Sequence, residues 1–184
     1  MQNIKIIFIP GNGGGDSSDN WFKYIADKLA SDEVKCTIQK FPDPELARKE
    51  YWLPFIKELG ADENTILIGH SSGAVAAMRY AEENKILGSV LVSACHTDLG
   101  IEDEKKSHYY DTPWDWEKIK ANQTFIGQYH STDDPFIPVE EARFVHEKLD
   151  SDYFEFTDQE HFGVVRVKNE FPEVVEYLRG KIKI

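Results

Sequence analysis

The chain has very little cysteine, with only Cys36 and Cys95 among 184 residues. They lie far apart and match neither a metal-ligand nor a redox spacing, so no disulfide scaffold or zinc site organises the fold, and both thiols are expected to be free. Positive charge is also in short supply. Lys and Arg number 21 against 33 Asp and Glu, a formal net charge of −12, which argues against nucleic acid and anionic membrane surfaces as partners. No apolar run is long enough to span a bilayer. The apolar start, Ile4 to Ile9, lacks the length and the small-residue cleavage site of a secretory signal, and reads as a first strand in a cytoplasmic protein. Repeats, linkers and low-complexity segments are missing too, so residues 1–184 are expected to form one domain, large enough for a core without staples.

What is present is an alternation of apolar runs and amphipathic stretches, the pattern of a parallel sheet with helices on both faces. Strands are expected at Ile4 to Ile9, Val34 to Phe41, Thr65 to Ile68, Gly88 to Ser93, Gln123 to Tyr129 and, as an edge strand, Tyr153 to Phe156. Trp21, Phe22, Ile25 and Leu29 recur at helical spacing, with Asp19 or Asn20 as N-cap. A helix is expected to open at Asp43-Pro44 and close at Gly60, kinked or split by Pro54. Further helices are expected at Ala74 to Ala81, at Val139 to Leu149 after Pro138, and at Phe171 to Leu178. The long irregular stretch Ala94 to Thr112 has no room for a cap domain. It can form only a short rim, which leaves the site rather open.

The most informative stretch is Ile66-Leu67-Ile68-Gly69-His70-Ser71-Ser72-Gly73-Ala74. An apolar strand runs into Gly-x-Ser-x-Gly and then into an alanine-rich helix, the context a nucleophile elbow requires. An activated serine needs a base, and the base needs an orienting acid. Asp134, before the Pro-x-x-Pro that follows the fifth strand, is preferred as the acid. Its neighbour Asp133 is expected to solvate or cap the loop. His161, in the loop after the sixth strand, is placed to act as base. The oxyanion needs backbone donors. One is expected from Ser72, and the other from the glycine loop Pro10 to Gly15, with Asn12 preferred and Gly13 the near alternative. That loop lacks Gly-Lys-Ser/Thr and misses the Gly-x-Gly-x-x-Gly frame, so nucleotide binding is not expected.

The other residues carry less. His70 is expected to pack beside the strand, and His96, Asp98 and His108 match no metal-ligand pattern. Glu102-Asp103-Glu104 reads as a solvated acidic loop. Trp114, Trp116 and Phe136 are the aromatic candidates for the substrate pocket, with Trp52, Tyr109 and Tyr110 as further possibilities.

Several segments together resemble the retinoblastoma-binding protein 9 family of small serine hydrolases. They are Pro10 to Gly15, Trp52-Leu53-Pro54-Phe55, Gly69 to Ala74, Pro113 to Asn122 and Ser131 to Pro135. The resemblance implies an α/β-hydrolase fold and hydrolysis of ester or aminopeptidase-type substrates, with the triad on Ser71, Asp134 and His161. Two positions depart from the family pattern. Glu160 stands where glycine usually precedes the histidine, and could alter that loop. Leu59-Gly60-Ala61-Asp62-Glu63 has alanine where an L-x-C-x-E motif has cysteine, so a retinoblastoma-type partner is not expected. The sequence therefore points to a serine hydrolase that cleaves a small ester or amide through an acyl-enzyme, without metal or cofactor. The alternative is a catalytically silent hydrolase-fold protein acting as an interaction module.

Overall fold

The computed structural model describes residues 3–15 and 21–182. The chain runs β1 (Ile4–Ile9), α1 (Phe22–Leu29), β2 (Val34–Thr37), α2 (Lys49–Glu58), β3 (Thr65–His70), α3 (Ser72–Glu83) and β4 (Gly88–Val92). It continues with α4 (Glu102–Lys106), α5 (Trp116–Ala121), β5 (Ile126–Ser131), α6 (Val139–Leu149), β6 (Asp152–Phe156) and α7 (Pro172–Ile182). All six strands are parallel, in the order β2-β1-β3-β4-β5-β6. This is the architecture of an α/β-hydrolase.

The strand sequences explain the layering. In β1, Ile7 and Ile9 join one apolar cluster while Ile6 and Phe8 join the other, so both faces of the strand are covered. The first cluster is completed by Trp52 and Ile56 of α2, the alanines and Val75 of α3, Ile119 of α5 and Val145 of α6. The second is closed by Phe22, Ile25 and Leu29 of α1 with Val174 and Leu178 of α7. Each fully buried Ile, Leu or Phe contributes about 1.5–3 kcal/mol relative to exposure. β6 lies on the edge of the sheet, as expected, and none of its residues is fully buried.

The connection from β1 leads outward to β2, whereas β3 pairs with the opposite side of β1 and leads on to β4. The two loops leaving β1 and β3 therefore diverge and open a crevice at the carboxyl ends of these strands, the usual ligand position in open α/β sheets.

Several boundaries differ from the sequence expectation. β2 ends at Thr37, and α2 begins at Lys49, not at Asp43. Asp43 and Ala47 take positive φ, and the Asp43 carboxylate is engaged by Arg48, so this stretch turns instead of coiling. α2 then continues through Pro54 without splitting. The stretch after β4 contains α4, and α5 follows it. These two short helices are the only ones between β4 and β5 among the described residues. The expected N-cap at Asp19 or Asn20 lies outside the described residues. Among those residues, no helix is long and apolar enough to cross a membrane.

Candidate active site

Ser71 sits between the last residue of β3 and the first of α3, with φ 55° and ψ −123°. A β-branched or bulky side chain is rarely found there, and even serine is strained. The flanking glycines make the turn possible. A Cβ at Gly69 would lie 2.3 Å from Gly73 O, and one at Gly73 would lie 2.2 Å from Ile9 O. The Ser71 amide donates to Val92 O at 2.9 Å, which ties the turn to β4.

Asp134 follows β5, and its side chain is fully buried. Oδ1 accepts from the amides of Phe136 and Ile137 at 2.9 and 3.1 Å, and Oδ2 accepts from Ser93 Oγ at 3.0 Å. His161 Nδ1 lies 2.7 Å from the same Oδ2. Burial alone would raise the Asp134 carboxyl. The hydrogen bond and charge of His161, with the two amides, outweigh it and hold the group below its ordinary range. An ionised carboxylate only accepts, so Nδ1 is the donor of this bond and the neutral ring would carry its lone pair on Nε2.

The histidine loop is held at three further points. Asp133 Oδ1 accepts from Ser131 Oγ and from the Glu160 amide, and Ser131 Oγ accepts from the Gln159 amide at 3.0 Å. Asp133 thus caps this loop. His70 Nε2 donates to His161 O at 3.0 Å, and the two rings stand 4.7 Å apart. Burial, reinforced by neighbouring His161, pushes the His70 ring down to about 3, so it is neutral at physiological pH. His70 was expected only to pack; it also anchors the backbone of His161. Glu160 adopts φ 48°, a left-handed conformation that suits the glycine usual at this position. Its carboxylate pairs with Arg166 at 3.2 Å.

The glycine loop faces the elbow. Gly13 N–H donates to Glu45 O at 3.1 Å, which commits the near alternative for the oxyanion. Among the described residues, no backbone acceptor takes the amides of Asn12 or Ser72. The Asn12 side chain donates through Nδ2 to Glu104 Oε1 at 2.7 Å, and Ser72 Oγ donates to the same oxygen at 3.4 Å. Tyr110 OH donates to Glu104 Oε2 at 3.3 Å. Burial raises the Glu104 carboxyl, although Asn12, Tyr110 and Ser72 pull in the other direction. Glu104 is therefore not part of a solvated acidic loop. Its role was invisible in the sequence because only the fold brings α4 across the glycine loop.

Asn12, Ser71, Ser72, Glu104, Phe136 and His161 line one pocket of about 340 Å3. Leu99, Ile101 and Val164 add apolar walls, and Phe136 stands edge-on to His161 with centroids 5.1 Å apart. The structure does not bring Trp114 or Trp116 to this pocket. Their rings stack at 5.3 Å beside a separate depression lined by Pro113, Glu117, Lys120 and Lys148. Arg79 of α3 explains the displacement: its guanidinium lies 3.6 Å from the centre of the Trp114 ring. It also donates to the carbonyls of Tyr109 and Thr112, drawing this segment onto α3. Trp52 and Tyr109 are fully buried in the core, and Tyr110 stands behind Glu104.

A model of the family described as Serine hydrolase matches residues 6–180. Serine hydrolase RBBP9 of Rattus norvegicus is 45% identical over 181 residues, covering 97% of this chain and 95% of that protein. The putative hydrolase YdeN of Bacillus subtilis strain 168 is 25% identical over 164 residues, 86% of each chain. The crystal structure of the ydeN gene product from B. subtilis matches with a TM-score of 0.87 at 24% identity, covering 98% of this chain and all of that one. The last likeness is one of fold.

Proposed function

The chain belongs to the serine hydrolase family, and from that premise we propose that it cleaves a small ester or amide through an acyl-enzyme on Ser71. The observation that carries this reading is a strained serine sharing one pocket with a histidine whose Nδ1 is held 2.7 Å from a buried carboxylate. His161 Nε2 takes the Ser71 proton as Oγ attacks the carbonyl carbon. Asp134 holds the tautomer and stabilises the imidazolium that forms. The negative charge on the carbonyl oxygen is met by the amides of Asn12 and Ser72. Collapse of the tetrahedral intermediate passes the proton from His161 to the leaving alcohol or amine. Water, activated by the same histidine, then releases the acid and restores Ser71.

The pocket walls suggest the substrate. Leu99, Ile101, Phe136 and Val164 give it an apolar side, and 340 Å3 suits a small molecule with a short or aromatic acyl group. The same reading makes the chain a one-domain cytoplasmic enzyme of carboxylesterase or aminopeptidase-like type, with no nucleic-acid, membrane or retinoblastoma-type partner.

Labelling by a fluorophosphonate probe tests the assignment. Wild type should label at one site, and Ser71→Ala should not label at all. Asp134→Asn and His161→Ala should label far more slowly, with turnover of any ester reduced on the order of 10⁴-fold in Asp134→Asn, as expected when the wrong tautomer is held. A folded wild type that neither labels nor turns over esters would instead favour an interaction module.

A further inference from the structure

The two amides assigned to the oxyanion belong to segments that leave different strands. Asn12 follows β1, and Ser72 begins α3 after β3. Such donors work only when they stand about 2.7–3.1 Å from the developing oxyanion, and a misplacement of 1 Å can cost about 100-fold in rate. The spacing between the glycine loop and the elbow is therefore a quantity that something must hold.

We infer that Glu104 is a positioning residue of this hydrolase, one carboxylate that gathers the side chains of both oxyanion-donor residues and sets the spacing of their amides. Its Oε1 accepts from Asn12 Nδ2 at 2.7 Å and from Ser72 Oγ at 3.4 Å. Behind it, Oε2 accepts from Tyr110 OH at 3.3 Å, and that hydroxyl lies 3.2 Å from the buried Cys95 Sγ. The strut thus runs from the core, through the rim, to both donor residues. Charge-assisted hydrogen bonds are about twice as strong as neutral ones, and of these contacts the one from Asn12, at 2.7 Å, is the short one. The other four residues of α4 are exposed, so Glu104 alone of this helix turns inward. A bare carboxylate close to a forming oxyanion would oppose it. Three donors aimed at Glu104 disperse that charge and let the group serve as a clamp.

The inference rests on the assignment of Ser71, Asn12 and Ser72 above, and a mutant cycle separates the two. Wild type, Glu104→Ala, Asn12→Ala, the double variant and Glu104→Gln are compared for turnover of p-nitrophenyl acetate, with fluorophosphonate labelling and melting temperature alongside. Asn12→Ala keeps the backbone amide and removes only the bond to Glu104. Each single alanine variant should lower kcat about tenfold or more with KM changed less than about twofold, as expected for donors moved by a fraction of an ångström. The double variant should be about as slow as either single, because both remove the same strut. Glu104→Gln, which keeps an oxygen acceptor for Asn12, should recover most of the loss.

Losses that multiply, a loss confined to KM, or a kcat within twofold of wild type in the alanine variants would overturn the inference while leaving the labelled Ser71 standing. Should Glu104→Ala fail to fold, Asn12→Ala and Asn12→Asp carry the test from the other end of the bond. Equal kcat in these and wild type overturns the inference. A folded wild type that does not label removes the assignment and the inference together.

Discussion

At Ser71 the backbone stands at φ 55° with a side chain attached, and conformations of this kind cost about 1–3 kcal/mol. The hydroxyl does nothing to relieve that strain, and neither would a methyl group. Ser71→Ala should therefore melt close to wild type, whereas Ser71→Gly, free to occupy positive φ, should melt at or above both; a lower melting temperature for the glycine variant would show the elbow to be unstrained. Gly73 has the opposite character. A methyl group there would lie 2.2 Å from Ile9 O and 2.4 Å from Pro10 O. Backbone cannot rotate aside as a side chain can, so Gly73→Ala should lose at least about 3 kcal/mol in urea unfolding. That Ser71 and His161 share a pocket and that Asp134 meets His161 could be expected from the sequence, because each residue follows a strand in an order this fold reuses. Glu104 and His70 were not, because their partners, Asn12 and the carbonyl of His161, are about 90 positions away in the chain.

Among the elements, α3 shows how far pattern reading reaches. Its alanines announced a helix pressed against a sheet, and Ala74, Ala76 and Ala77 are indeed fully buried. Arg79, in the same helix, gave no such signal. It is buried at 5% exposure, pairs with Glu82 at 2.8 Å, and donates to the carbonyls of Tyr109, Thr112 and Pro113. Arg79→Ala should cost about 3–5 kcal/mol in urea unfolding, since it leaves a largely buried carboxylate and several carbonyls without their partner. Arg79→Lys should recover only part of this, because one ammonium cannot reproduce the planar fork or its stacking on Trp114. A loss below about 1 kcal/mol for the alanine variant would mean that the segment holds without the arginine. The same contact explains why Trp114 and Trp116 misled: aromatic residues near a site look alike in sequence, and the arginine that diverts them lies in another helix. Strand ends were blurred for a related reason. The fifth strand was expected at Gln123 to Tyr129, yet β5 runs from Ile126 to Ser131 and buries Gln128, His130 and Ser131 alike. Gln128 Nε2 donates to Ala142 O and its Oε1 accepts from Ser151 Oγ, while His130 meets Ile137 O through Nε2 and leaves Nδ1 without a partner among the described residues.

Across the whole molecule, acid is the natural stress. His70 is held down from an ordinary value of 6.5 to about 3. Between those values the unfolded chain binds a proton that the folded chain refuses, so stability is complete above 6.5 and falls as the pH drops toward 3. The slope from this ring is about 1.4 kcal/mol per pH unit. Asp43, held down mainly by its hydrogen bond to Arg48, and Asp134 act in the same direction below the ordinary carboxylate value of 3.8. Urea midpoints measured from pH 7 to pH 4 should fall steadily for wild type and less steeply for His70→Gln. Parallel lines would show that the ring is not the source.

The position of β6 at the sheet edge has a consequence for synthesis. A growing chain emerges from the ribosome with its first strands ahead of its last. By the time β5 has formed, the elbow, the glycine loop and the buried carboxylate of Asp134 can all be in place, yet the proposed base has not been made. It arrives only with the loop beyond β6, which joins by adding to the free edge of an already built sheet. The nascent protein would thus carry a serine without its proposed base until its last strand is docked, with only α7 left to close the sheet's second face.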